Sequence, residues 1–119
     1  MSRFDSGGDD LKVEVRTEGQ TVVLTPRGEV TAFTSPVLRQ TLRTATTSKP
    51  PLVVMDLSAT PYVDSSGVAT LVEALQIVTR YSGKLVLAGM NDRVRGVFEI
   101  ARLQSVFKIA ASVEEALGT

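Results

Sequence analysis

Tyr62-Val63-Asp64-Ser65-Ser66-Gly67-Val68-Ala69-Thr70-Leu71 joins Leu52-Val53-Val54-Met55-Asp56-Leu57, continuously apolar until Asp56, to a long amphipathic segment. An apolar run of that length suits a central strand covered on both faces. From about Ser66 to Tyr81 the period changes to 3.6. Val68, Leu71, Val72, Leu75 and Val78 form one stripe, and Ser66, Thr70, Glu73 and Arg80 are expected to face outward. Gly83 stops this helix, and Lys84-Leu85-Val86-Leu87-Ala88 follows as a second buried strand. Strand, helix, strand with both strands strongly apolar is a βαβ unit, so its two strands run parallel. The junction itself, Asp-Ser-Ser-Gly, has the composition of a helix N-terminus. Backbone N–H groups without helical partners and the helix dipole favour an anion there.

Toward the N-terminus, Leu11-Lys12-Val13-Glu14-Val15-Arg16 alternates apolar and charged residues, the period of a half-exposed strand. Glu18-Gly19-Gln20 reads as a tight turn, and Thr21-Val22-Val23-Leu24-Thr25 as the return strand of a hairpin. Pro26 is expected to mark an edge or a bulge. Gly28-Glu29-Val30-Thr31 carries the chain off the sheet. Ser35 is expected to cap the next helix, with Pro36 at its first position. Val37, Leu38, Thr41, Leu42 and Ala45 fall on one face of it, and Arg39, Gln40 and Arg43 on the other. Residues 1–10 are polar and read as a flexible leader.

Toward the C-terminus, Asn91 or Asp92 caps a third helix with Val94, Val97, Phe98 and Ala101 on one face. Val106-Phe107-Lys108-Ile109 reads as a short last strand. Ser112-Val113-Glu114-Glu115 is a capping box for a terminal helix through Leu117. The sum is one α/β domain over 11–119. Its mixed sheet has four to five strands, with an N-terminal β-hairpin, a βαβ core and about four helices. The pattern leaves open whether the helices cover one face of the sheet or both.

Composition excludes more than any motif adds. The 119 residues suit one core. Lys+Arg and Asp+Glu are both 13, so no global field draws nucleic acid or anionic lipid. Four Phe, two Tyr and no Trp supply little base-stacking surface. His and Cys are both absent, which removes the Ser-His-Asp triad, thiolate chemistry, disulfides and imidazole or thiolate metal sites. No apolar run approaches a membrane span, and the cytoplasm is the expected location. A serine nucleophile lacks a base, since Lys12, Lys49, Lys84 and Lys108 form no Ser-Lys motif and the Gly-x-Ser-x-Gly elbow is missing. No catalytic residue, cofactor or metal is expected.

Two constellations remain. Asp56 and Asp64 flank one strand-to-helix connection and could hold magnesium or accept phosphate, but the companion acids and lysine are missing. Strand end for Asp56 and helix cap for Asp64 is the stronger reading. Asp64-Ser65-Ser66-Gly67 is either a plain cap or a phosphorylatable serine on an exposed helix start. A phosphate adds about −1.5 to −2 charges, and is expected to meet free N–H groups while Asp64 repels it. Either Ser65 or Ser66 fits the first helical turn.

The chain resembles a STAS domain, specifically the bacterial anti-sigma factor antagonists, from about Leu11 to Leu117. The resemblance rests on the opening hairpin, Gly28-Glu29-Val30, Val53-Val54-Met55-Asp56-Leu57-Ser58, and Val63-Asp64-Ser65-Ser66-Gly67-Val68 followed by Leu71. Val106-Phe107-Lys108-Ile109 and Glu114-Glu115-Ala116-Leu117 complete it. It implies a non-enzymatic, partner-switching regulator of transcription. In that family the unmodified antagonist binds an anti-sigma factor that is itself a GHKL-type serine kinase, and so frees the sigma factor. The kinase phosphorylates the first serine of the motif, Ser65 here, and a PP2C-type phosphatase resets it. No direct contact with nucleic acid or membrane is implied. The partner-binding residues implied around Ser65 are Thr31, Asp64, Ser66, Gly67 and Thr70. The family usually carries an aspartate after the Gly-Glu-aliphatic segment, on the partner-facing side, and Thr31 stands there in this chain. That departure leaves a second reading, a STAS module that serves a signalling scaffold or transporter complex without switching. A small phosphate- or nucleotide-handling enzyme using Asp56 and Asp64 is the third.

Overall fold

The computed structural model describes residues 11–118. The expected leader, residues 1–10, lies outside them. The elements follow as β1 (Lys12–Glu18), β2 (Thr21–Arg27), α1 (Ser35–Ala45), β3 (Leu52–Asp56), α2 (Ser65–Arg80), β4 (Lys84–Ala88), α3 (Asp92–Ile100), β5 (Lys108–Ala110) and α4 (Val113–Leu117). One sheet carries the strands in chain order, β1-β2-β3-β4-β5. Only the β1–β2 pair is antiparallel, and the others are parallel. The expected mixed sheet is therefore present, with five strands and four helices among the described residues.

The order answers what the sequence pattern left open. Three successive crossovers each move one strand in the same direction across the sheet. Crossovers share one hand, so α1, α2 and α3 are all delivered to the same face. Alternation along each strand then sorts the side chains. Leu24, Met55 and Leu87 lie in register across the sheet and pack beneath these helices, together with Leu38, Leu71 and Phe98. Val23, Val54 and Val86, one residue earlier, point to the opposite face and meet Val113 and Ala116 of α4. Both faces are covered, which is why β3 and β4 read as unbroken apolar runs.

Several local expectations need correction. Pro26 is on neither an edge strand nor a bulge, because β2 lies between β1 and β3. It pairs with Val13 of β1, but the β2–β3 register ends at Leu24 and Met55, before Pro26 is reached. Ser35 does not cap α1. It is the first helical residue and Thr34 is the cap, without a side-chain cap bond. The Thr34 hydroxyl is used elsewhere, as described below. Val37 is 37% exposed rather than in the stripe with Leu38 and Leu42. Ala101 lies just beyond α3 and is exposed. Other expectations hold: of the two residues offered as cap of α3, Asn91 fills the role, accepting from Val94 N–H at 2.8 Å. The expected capping serine, Ser112, accepts from Glu115 N–H at 3.1 Å.

Candidate functional site

The carboxyl ends of β2 and β3 lie side by side, so the segments leaving them meet at one end of the sheet, where ligand and partner sites of parallel sheets gather. The two segments are joined. Gly28 N–H donates to Ala59 C=O (3.1 Å), Val30 N–H to Tyr62 C=O (3.0 Å) and Asp64 N–H to Val30 C=O (3.1 Å). Val30 and Val63 form an isolated parallel bridge, extending β2–β3 pairing beyond the strands proper. The Thr60 hydroxyl, buried, donates to Pro26 C=O at 2.9 Å. A third segment joins from β4: Asn91 Nδ2 donates to Pro61 C=O (3.2 Å), and the Arg93 guanidinium stacks 4.5 Å from the Tyr62 ring centroid.

Asp64 is the hub. As the cap of α2, its Oδ1 accepts from Ser66 N–H (2.9 Å) and Gly67 N–H (3.2 Å). Its Oδ2 accepts from Ala32 N–H (3.3 Å) in the segment after β2. One carboxylate thus satisfies the helix start and ties the neighbouring turn to it. This overturns one expectation. A phosphate on Ser65 does not find the Ser66 and Gly67 N–H groups free, because Asp64 holds both.

Gly67 makes the close approach possible. A Cβ there would fall 2.5 Å from Val63 Cγ1 and 2.7 Å from the Val30 carbonyl oxygen. Its N–H reaches Asp64 and its backbone lies against Val30, so Gly67 is buried rather than displayed. Ser65 is exposed and Ser66 half-buried.

Thr70 corrects the outward face drawn for α2. It is 0% exposed. Its hydroxyl donates to Ser66 C=O (3.0 Å) and accepts from Arg39 Nη2 (3.4 Å). Glu73, also expected outside, is held by α1: Arg39 Nε lies 2.8 Å from its Oε1 and Arg43 Nη2 2.8 Å from its Oε2. The hydrogen bond from Arg39, then that from Arg43, holds the Glu73 carboxyl below its ordinary value. The network runs from Ser66 through Thr70 and Arg39 to Glu73 and fixes α2 against α1.

The turn after β2 is equally ordered. Thr31 N–H donates to Thr34 Oγ1 (2.8 Å), and the Thr34 hydroxyl donates to Glu29 C=O (2.8 Å). Phe33 N–H donates to Thr31 Oγ1 (3.2 Å), and Ser35 N–H to Thr31 C=O (2.7 Å). Thr31, half-buried, therefore spends its hydroxyl within the turn. At the tip stands Phe33, 90% exposed. Sequence reasoning passed over this residue. Its signal was an aromatic isolated among Thr31, Ala32, Thr34 and Ser35, outside any apolar period.

Asp56 and Asp64 are engaged by different partners. Asp56 accepts from the Thr25 hydroxyl (3.3 Å) and from Ser58 N–H (3.0 Å), bonds of a strand end and its turn. Among the described residues no helix is long and apolar enough to cross a membrane.

Known proteins agree with this architecture. An anti-sigma-B factor antagonist of Listeria monocytogenes is 30% identical over 82 residues, 69% of this chain and 72% of that protein. The crystal structure of an anti-sigma factor antagonist from Mycobacterium paratuberculosis superposes with a TM-score of 0.85 at 23% identity, over 95% of this chain and 96% of that one. The Bacillus cell fate determinant SpoIIAA in its phosphorylated form superposes with a TM-score of 0.69 at 22% identity, over 91% and 96%. The STAS domain family model matches residues 12–116. With that match, and with the sheet order and joined β2 and β3 ends in place, the chain belongs to the STAS domain family.

Proposed function

We propose that this chain is an anti-sigma factor antagonist. It binds an anti-sigma factor that is a GHKL-type serine kinase, and it loses that partner when Ser65 is phosphorylated. The chain is then ligand and substrate rather than enzyme, it acts in the cytoplasm on transcription, and a PP2C-type phosphatase restores it.

The observation that carries the reading is the Asp64 cap beside an exposed Ser65. Asp64 already occupies the Ser66 and Gly67 N–H groups, so a phosphoryl group on Ser65 is left facing the partner with no compensating donors from those two amides. A dianion added beside a carboxylate in a docking surface is repulsive and costly to desolvate. The helix start is meanwhile satisfied with or without phosphate, so the modification changes the surface and leaves the fold in place. The names of the curated relatives support the partner class, and the phosphorylated SpoIIAA structure supports modification within the family.

Among the residues implied to bind the partner, Asp64, Ser66 and Thr31 border the surface around Ser65. Gly67 and Thr70 act from beneath, through close approach and through the Ser66–Thr70–Arg39 bonds. The choice of Ser65 over Ser66 comes from the family pattern, and the greater exposure of Ser65 supports it. The uncharged Thr31 favours the second reading, a STAS module that scaffolds without switching.

The test is phosphotransfer. Incubation with the kinase and ATP is expected to place one phosphate, mapped by mass spectrometry to Ser65 and absent from the Ser65→Ala variant. Modification at Ser66 alone, or none, defeats the proposal. Recovery of transporter or scaffold subunits without a kinase selects the second reading.

A further inference from the structure

We propose that Phe33 is the apolar anchor of the same surface. It inserts into a hydrophobic pocket beside the phosphotransfer cleft of the serine kinase that acts on Ser65. This rests on the function proposed above and names the recognition element that the function leaves unspecified.

Three observations carry it. Phe33 is the most exposed large apolar side chain among the described residues, at 90%. Leaving an aromatic in water is unfavourable, and aromatic anchors dominate binding energy at the centres of interfaces.

The turn is also rigid. Thr31, Thr34 and Ser35 close it through hydrogen bonds of 2.7–3.2 Å. Asp64 Oδ2 fastens the preceding residue, Ala32, from the helix start. An anchor already held in its bound position costs little ordering on association.

Position is the third. Ala32 adjoins Phe33 in sequence, and Asp64, bonded to Ala32, adjoins Ser65. A specific protein interface covers about 800 Å² per partner, so a kinase seated over Ser65 also covers the turn. Val15 (48%) lies on the edge strand β1 and Val37 (37%) in the first turn of α1, and neither approaches the exposure of Phe33; Ile100 (86%) and Val106 (51%) lie elsewhere. These last two flank the end of α3 and the start of β5, at the opposite end of the parallel strands. The anchor and its neighbours Thr31 and Ala32 carry no charge, so their contribution is insensitive to salt.

The experiment measures affinity for the purified kinase, and steady-state phosphorylation of Ser65, in wild type, Phe33→Ala, Phe33→Tyr and Ser65→Asp. Phe33→Ala is expected to weaken binding about ten- to a hundredfold at both low and high salt. It should raise KM for Ser65 phosphorylation with kcat held, and leave the melting temperature unchanged. Phe33→Tyr is expected to recover most of the affinity. If Phe33→Ala binds within about twofold of wild type while Ser65→Asp has lost binding, the anchor is wrong and the function stands. If Phe33→Ala instead only dissociates a dimer of this chain, a second copy is the occupant and the anchor is again wrong. If the kinase neither binds nor modifies the wild type, the function fails and the anchor fails with it.

Discussion

Replacing Gly67 with alanine sets two local effects against each other, and the structure says which wins. Gly67 is the third residue of α2. In a helix, alanine is favoured over glycine by about 1 kcal/mol. The new Cβ, however, would lie 2.7 Å from the Val30 carbonyl oxygen, 2.5 Å from Val63 Cγ1 and 3.0 Å from Val30 Cγ1. Carbon–oxygen contacts settle no closer than about 3.3 Å, so the Val30 backbone must retreat by roughly 0.6 Å. That movement strains the Asp64 N–H to Val30 C=O bond and the Val30–Val63 bridge, which join the two segments of the site. Overpacking of this kind costs about 1–3 kcal/mol, and weakening the hydrogen bond adds about 1 kcal/mol. After the helix gain the net loss is about 2 kcal/mol, which lowers the melting temperature by about 8 °C in a domain of this size. Urea and thermal unfolding both measure it, with the slope of the urea transition unchanged. Gly96, in α3, is the control: a Cβ there meets nothing within 4 Å, and Gly96→Ala is expected to stabilise by about 0.5–1 kcal/mol. A Gly67→Ala protein that melts at or above the wild-type temperature refutes the close-approach argument.

Removing the hub carboxylate with Asp64→Ala strips acceptors from Ser66, Gly67 and Ala32 N–H groups. It is expected to cost about 1–2 kcal/mol, with faster amide hydrogen exchange at those three positions; unchanged exchange at Ala32 would show that the turn does not depend on Asp64. The Glu73 carboxyl is held below its ordinary value by Arg39 and Arg43. The unfolded chain therefore binds its proton more readily than the folded one. The stabilisation is fully present above the unfolded value of about 4.3 and is lost as pH falls through the lower folded value. Because the pair is partly exposed, its contribution is about 0.5–1 kcal/mol. The Glu73→Gln variant is expected to lose that much at neutral pH, to fall level with wild type in strong acid, and to show a shallower pH dependence between; a constant offset down to acid contradicts it.

The βαβ core was legible because its physics is local. Val53, Val54 and Met55 face helices on both sides, so their strand carries no polar alternation to misread, and Leu85, Val86 and Leu87 repeat the pattern. Asp64 was legible as a cap for the same reason: the residue, its spacing and the helix it starts lie within one turn. What escaped depends on contacts made outside the element being read. Thr70 reads as polar and outward until Arg39, on another helix, reaches it and Ser66 C=O accepts its hydroxyl. Ser35 followed by Pro36 reads as a cap, but the Thr31–Thr34 turn draws Ser35 into the helix and leaves Thr34 before it. Asp64 as a link to Ala32 is invisible in sequence, since it requires the β2 and β3 ends to lie side by side. The N–H groups expected to be free for phosphate were misjudged for a local reason instead: the capping residue that announces the site also fills it.

The central claim is that phosphate on Ser65 dismisses the partner without disturbing the fold. Its most direct measurement is isothermal titration of the anti-sigma kinase with the unmodified chain and with the chain phosphorylated at Ser65, alongside their melting temperatures. A hundredfold to thousandfold rise in Kd, which is about 3–4 kcal/mol, with melting temperatures within about 2 °C of each other is the expected result. Equal affinities for the two forms, or a lost affinity accompanied by a collapse of the melting temperature, contradict the account.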